Sequence, residues 1–292
     1  MHFSDSLALI FKLLARLPLP LLHGLGNGLG WLVYLLSPRY RSRIKANLDS
    51  SGLGQNQDGF LRRRAIGEAG KAVLELPAIW LRPVEKLEHL VRGVYGWEYV
   101  EQTLAGGKGI IFLSPHLGCY EIASLYYATQ RPITVLYRPP RQRWLEPLMR
   151  LGRGRANARL ATADISGVRT IMKALKRGEA VGILPDQVPS RGEGVWADFF
   201  GRPAYTMTLV ARLQQATEAQ VVLAVAERLS WGRGYILRFR PMTLSLAGNA
   251  EESARALNAS IEDLVREYPA QYLWSYNRYK VPPGVTRPSS EQ

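Results

Sequence analysis

Short apolar runs that recur between helix-patterned segments constrain this chain more than any other feature. "KGIIFLSPH" (108–116), "ITVLYRPP" (133–140), "EAVGILPDQ" (179–187), "AQVVLAVAERL" (219–229) and "GYILRFR" (234–240) read as buried strands. Between and around them lie helix patterns: 61–81, 117–130, 165–178 and 251–269. The clearest is "ISGVRTIMKALKRG" (165–178), where Val168, Ile171, Met172 and Leu175 share one face, Ser166 is placed as cap and Gly178 as stop. Apolar strands alternating with helices imply an α/β fold, a mainly parallel sheet flanked by helices on both faces. In open sheets of that kind ligands bind beyond the carboxyl ends of the strands. His116, Tyr137 with Arg138, and Asp186 with Gln187 all fall at such ends.

Charge narrows the partner. With 38 Lys and Arg against 24 Asp and Glu, the net charge of +14 calls for an anionic counterpart. Nucleic acid, an anionic membrane face, and a phosphorylated or acidic substrate all qualify. A single cysteine, Cys119, excludes an intramolecular disulfide and a Cys-rich zinc site.

The first residues favour the membrane. "SLALIFKLLARL" (6–17) places Leu9, Ile10, Leu13, Leu14 and Leu17 at helical spacing, with Lys12 and Arg16 on another face. "LPLPLLHGLGNGLGWLVYLL" (17–36) then runs without a formal charge to Arg39, Arg41, Arg43 and Lys45. About 20 apolar residues are enough to span a bilayer. Pro18, Pro20, His23 and Asn27 make this run a poor spanner, and an interfacial or re-entrant anchor facing anionic headgroups is more economical. No secretory signal is evident. Gly24, Gly26, Gly28 and Gly30 offer spacing for close helix approach, but a helix loosened by glycine is the simpler expectation. Nucleic acid is disfavoured, since no binding motif of that class appears and an apolar anchor precedes the basic body.

"SPHLGCYE" (114–121) carries the chemistry. A histidine in the turn after a strand and a glutamate in the first turn of the next helix can approach one another. A carboxylate on one imidazole nitrogen leaves the other as a general base, suited to deprotonating a hydroxyl that attacks an activated acyl group. On spacing alone, a solvated or core-satisfied histidine competes with that role. Cys119 between the two reads as a small buried filler rather than a nucleophile. His2, His23 and His89 have no metal-ligand spacing, and no H-E-x-x-H, G-x-S-x-G or P-loop pattern occurs, so no metal or cofactor is expected.

"KGIIFLSPHLGCYE" resembles the H-x4-D/E acyltransferases, whose members include the glycerolipid acyltransferases. It is most similar to the late acyltransferases of lipid A biosynthesis, which add lauroyl or myristoyl chains in Gram-negative bacteria. That branch shows an "HLGNWE"-like stretch, so Cys119 and Tyr120 depart from it. "RSRIKANL" (41–48), "VLYRPP" (135–140), "GILPDQVPSRGEGVWADFFGRPAYT" (182–206) and "QYLWSYNRYK" (271–280) extend the resemblance over nearly the whole chain. "LPDQVPSRGEG" stands where the glycerolipid branch carries an "FPEGTRS"-like block.

The resemblance implies an acyl carrier protein thioester as donor and a phosphorylated, Kdo-bearing lipid A precursor as acceptor. It strengthens the reading of His116 and Glu121 as a catalytic pair, Glu121 orienting His116; since a thiolate leaves readily, direct transfer with no acyl-enzyme is expected. It places the chain on the cytoplasmic face of a bacterial inner membrane. A lysophospholipid or other glycolipid acyltransferase is the alternative. Asp186 and Gln187 would face the same crevice, Asp186 orienting substrate or pairing with an arginine. Arg141, Arg143, Arg150, Arg153, Arg155 and Arg159 form either a solvated cationic face or a set of forks for phosphate and sugar-acid groups. Arg153 or Arg155 would then reach the site from a tight loop bounded by Gly152 and Gly154, with Arg138 as an alternative oxyanion or phosphate ligand. The expected organisation is an anchor over 1–45, a catalytic domain over 46–280 and a flexible tail over 281–292.

Overall fold

The apolar runs become the centre of one seven-stranded sheet. The computed structural model describes residues 3–54, 59–140 and 142–288. Its elements begin with helices α1 (Phe3–Arg16), α2 (Leu19–Leu36), α3 (Pro38–Ser50), α4 (Phe60–Leu74), α5 (Leu76–Leu81) and α6 (Val84–Glu88). Strands and helices then alternate: β1 (Val91–Tyr95), α7 (Trp97–Ala105), β2 (Ile110–Leu113), α8 (Tyr120–Gln130), β3 (Ile133–Tyr137), α9 (Leu145–Arg153), β4 (Ala158–Thr162), α10 (Ile165–Lys176) and β5 (Ala180–Ile183). The chain closes with the hairpin β6 (Gly194–Phe199) and β7 (Arg202–Met207), α11 (Leu209–Thr217), β8 (Gln220–Arg228), β9 (Tyr235–Pro241) and α12 (Ala250–Glu267).

Strand order is β1-β9-β8-β2-β5-β3-β4. Every pairing is parallel except β8 with β9, which a short loop joins and which therefore must run antiparallel. The central strands are buried on both faces. Ile111, Leu113, Val181 and Ile183 pack toward α10, α11 and α12, while Ile110, Phe112 and Ala180 pack toward α5, α7 and α8. That two-sided burial is why these runs read as continuously apolar. Each large side chain so buried contributes about 1.5–3 kcal/mol.

Several local expectations change. The helix expected over 61–81 breaks at Glu75 into α4 and α5. Asp164, not Ser166, caps α10, its Oδ1 accepting from the Gly167 N–H at 2.9 Å. The loop expected around Arg153 is the end of an amphipathic helix, α9, followed by the edge strand β4.

The N-terminal segment is built into the body rather than hung from it. Leu19, Leu22, His23, Gly26 and Gly30 form the buried face of α2. Gly26 and Gly30 lie against Gly70 and the backbone of Ile66 on α4, where any Cβ would overlap a carbonyl. The glycine spacing thus serves close helix approach, and the simpler expectation fails. Ile44 and Leu48 of α3 are equally buried, so packing shows no seam at residue 45. The outward faces of α1 and α2 present Leu9, Ile10, Leu13, Leu21, Leu25, Leu32, Leu35 and Leu36. By length and composition α2 is the one described helix able to cross a membrane. At the other end, the expected tail lies against the hairpin as far as it is described: Trp196 donates to the Thr286 carbonyl at 2.8 Å. Residues 289–292, like Arg141 and His2, fall outside the described residues.

Candidate active site

His116 stands three residues past Leu113, and Asp186 three past Ile183, the registered neighbours at the ends of β2 and β5. Two adjacent parallel strands thus deliver the pair to one point beyond their carboxyl ends. Asp186 accepts twice: Oδ1 from His116 Nδ1 at 2.8 Å and Oδ2 from the His116 backbone N–H at 2.9 Å. Asp186 is buried, which raises its pKa, but His116 outweighs this by charge and by hydrogen bonding. The carboxyl stays below its ordinary value.

With Nδ1–H committed to Asp186, Nε2 carries the lone pair. The Gln187 amide nitrogen, 3.1 Å from Nε2, fits as its donor. The tautomer is therefore assigned by the carboxylate.

The loop between β2 and α8 is shaped by contacts far along the chain. Gly118 has φ +61, and a side chain there would overlap the Ala226 carbonyl. The Cys119 N–H donates to that carbonyl at 2.9 Å, and the Leu273 N–H donates to the His116 carbonyl at 3.0 Å. Arg228 donates to the Gly118 carbonyl at 3.0 Å. Beneath the loop, Arg228 is paired with Glu75 and Glu68, and Glu75 also accepts from Tyr235 and His23. Burial raises Glu75, but Arg228 and His23 overcome it and hold the carboxyl at about 2. Cys119 sits in the same interior, its thiol pushed up by burial and by Glu75, which leaves it a filler rather than a nucleophile.

Glu121 does not meet His116. Its buried carboxylate takes a bidentate clamp from Arg153, with Nε at 2.9 and 3.1 Å and a further bond from Nη2. The histidine's carboxylate is Asp186, and the glutamate of the motif fixes an arginine. The reason is geometric: Glu121 begins α8 and faces α9, whereas strand pairing brings Asp186 to the imidazole. Burial disfavours the Arg153 charge, but Glu121 more than restores it and raises the pKa.

A cavity of about 550 Å³ opens beside His116, and Arg138, Arg153 and Gln187 also line it. Arg155 does not. Its guanidinium donates to the backbone carbonyls of Ile79, Arg82 and Gly152, closing the end of α5. Arg150 donates to the Tyr137 hydroxyl at 2.6 Å, and Arg159 lies 3.6 Å from Glu179. The structure adds Arg169 and Arg212, which line the cavity from α10 and α11. In sequence they look like any solvated helix cation, so no local signal marked them. Leu136, Met149, Val168 and Leu184 supply apolar wall. A smaller, largely apolar void of about 40 Å³ lies behind Glu121 and Arg153, bounded by Phe112, Tyr127 and Phe239. Among the described residues no three His, Cys, Asp or Glu side chains converge as a metal-ligand set.

Fold and site together define an enzyme with a carboxylate-backed histidine beside a largely apolar cavity, whose charged lining is four arginines together with Asp164 and Glu193. The chain belongs to the bacterial lipid A biosynthesis acyltransferases, whose family model matches residues 3–281. It is 26% identical over 278 residues to the lipid A biosynthesis lauroyltransferase of Escherichia coli (strain K12), covering 94% of this chain and 90% of that one. It is 26% identical over 282 residues to the palmitoleoyltransferase of the same strain, with 94% and 90% covered. With the myristoyltransferase it shares 24% over 274 residues, covering 92% and 83%. The protein is an acyltransferase.

Proposed function

We propose that this acyltransferase moves a fatty acyl chain from an acyl carrier protein thioester to a hydroxyl on an acyl chain of a Kdo-bearing lipid A precursor. The observation that carries the mechanism is the orientation of His116, with Nδ1 held by Asp186 and the Nε2 side at the large cavity. Once the acceptor hydroxyl displaces the Gln187 amide from Nε2, Nε2 takes the hydroxyl proton as the oxygen attacks the thioester carbonyl. The C–S bond then breaks, and the imidazolium returns its proton to the departing thiolate. The products are an ester and a free thiol, with no acyl-enzyme between them. Asp186 stabilises the imidazolium, in place of the Glu121 role expected from the motif. Arg138, Arg169 and Arg212 suit the acceptor's anionic groups, and the apolar walls suit its chains and the acyl chain in transfer. No metal or redox cofactor enters this reading. The outward leucines of α1 and α2 and the +14 charge support work at the cytoplasmic face of an inner membrane, where carrier-protein thioesters are made.

The test uses detergent-solubilised wild type and His116→Ala, acyl carrier protein donors of several chain lengths, and either a Kdo-lipid A precursor or a lysophospholipid, with products read by mass spectrometry. One acyl group added to the lipid A precursor and lost in the variant supports the reading. Transfer to the lysophospholipid alone moves the protein to another acceptor class. Transfer indifferent to the variant removes His116 from the chemistry.

A further inference from the structure

A second cavity, of about 350 Å³, shares no lining residue with the first. Four guanidiniums surround it, those of Arg39, Arg43, Arg202 and Arg287, with Asn47 and Tyr279. Among the described residues no carboxylate lines it. The acidic residue of neighbouring α3, Asp49, is already engaged by Lys45 at 2.7 Å.

Three of the four cations are satisfied in part, each by a neutral group. Arg43 reaches the Ser275 carbonyl at 3.4 Å, Arg202 the Ser50 hydroxyl at 2.6 Å, and Arg287 the Tyr279 carbonyl at 3.2 Å. Arg202 also stacks on Tyr279, 4.1 Å from its ring centre, which fixes the plane of its fork. Four positive charges gathered around one void repel each other unless an anion occupies it. Planar forks of this kind match phosphate oxygens.

The location says where that anion comes from. Leu35 and Leu36 end α2 with 63% and 73% of their surface exposed, and α3 starts at Pro38. Arg39 and Arg43 therefore follow the exposed apolar end of α2 by three and seven residues, across the extended turn at Ser37 and about one helical turn apart on α3. If those leucines enter a bilayer, the cavity sits at the level of the headgroups. Its wall is not isolated from the catalytic centre. Asn47 donates to the carbonyls of Trp274 and Tyr276 at 2.6 and 2.8 Å, and the same segment braces the His116 carbonyl through the Leu273 N–H.

We propose that this cavity is a binding site for the phosphate of a membrane lipid, separate from the acyl-transfer cavity. The inference rests on the membrane placement in the proposed function. It has a readout that needs no turnover, so the two can fail separately.

The full-length protein is floated with vesicles of phosphatidylcholine, with or without phosphatidylglycerol. Wild type is compared with Arg39→Gln/Arg43→Gln and with Arg41→Gln/Lys45→Gln, which removes the same charge from the same helix outside the cavity. Phosphatidylglycerol should strengthen wild-type binding, and the cavity pair should lose about tenfold more of that gain than the control pair. Each cation at a membrane surface strengthens binding about fivefold, so both pairs shift measurably and the difference between them is the signal.

Acceptor kinetics identify the source. A cavity pair that keeps vesicle binding but raises the acceptor KM about tenfold at unchanged kcat assigns the phosphate to the acceptor. Equal losses in both pairs would mean diffuse surface charge and overturn the site. A rise confined to the KM of the carrier-protein donor would overturn it in favour of an acidic protein partner. If the cavity pair melts early, the exposed pair Arg39→Gln/Arg287→Gln takes its place.

Discussion

Asp186 grips His116 at two points, the ring Nδ1 at 2.8 Å and the backbone N–H at 2.9 Å, so one carboxylate sets both the tautomer and the loop that presents it. Asp186→Asn keeps the size and the backbone bond but surrenders the negative charge behind the imidazole. Turnover should fall by roughly 100-fold or more, with KM for both substrates little changed. Steady-state acyl transfer measures it. Full activity in Asp186→Asn would remove Asp186 from the mechanism.

Glu121 and Arg153 should behave as a buried ion pair. Glu121→Ala strands the Arg153 charge in an interior site and should cost about 3–5 kcal/mol. A thermal melt should drop by several degrees, whereas Asp186→Asn should move it less. Should Glu121→Ala abolish turnover at an unchanged melting temperature, the carboxylate acts on substrate instead of holding the arginine.

Arg155→Ala tests the separation of two neighbouring arginines. It removes donors from two backbone carbonyls at the end of α5 and one in α9, and should lower stability by about 1–3 kcal/mol. The KM values should hold, because the side chain does not line the large cavity. A selective rise in acceptor KM for the folded variant would contradict this placement.

The α2–α4 contact makes opposite forecasts for glycines two residues apart in α2. Gly30→Ala drives a methyl into the Ile66 carbonyl and should destabilise the protein, while Gly24 and Gly28 have open space around them. Gly28→Ala should therefore be neutral or add up to about 1 kcal/mol from helix propensity. Chemical denaturation of the two single variants decides it, and equal effects would mean that α2 does not pack on α4.

Acid stability should report the buried network under the catalytic loop. Glu75 titrates at about 2 in the fold against an ordinary value of 4.5. A depressed carboxyl stabilises the fold above its unfolded value and loses that contribution as pH falls through the folded one. The window is therefore about pH 4.5 down to about 2, and the stabilisation is on the order of 3 kcal/mol. Asp186 adds a shift of the same sign. Urea midpoints measured against pH should fall more steeply for wild type than for Glu75→Gln. Parallel curves would place the acid sensitivity elsewhere.

Local pattern was enough for the strand–helix alternation, the mainly parallel sheet and the placement of His116 beyond a strand. These follow from continuous apolar runs, from the 3.6-residue helix period and from short-range turn chemistry, which neighbouring residues carry between them. The motif spacing also singled out His116, yet it paired that histidine with the nearest carboxylate, whereas the structure pairs it with Asp186. Which carboxylate reaches the imidazole depends on β5 lying beside β2, a choice of strand order that joins residues 70 apart.

The same distance in sequence hid the other contacts. Arg153 meets Glu121 across 32 residues, and Arg228 reaches Glu75 across 153. Arg169 and Arg212 join one cavity rim from two helices. Gly30 was visible in a glycine spacing on α2, but only the crossing of α2 and α4 sets it against Gly70 as a contact surface. The chain by itself determined which residues would be helix, strand and candidate base, because those preferences are local. Only the tertiary structure decided what each charged side chain faces, because partners remote in sequence are selected by packing.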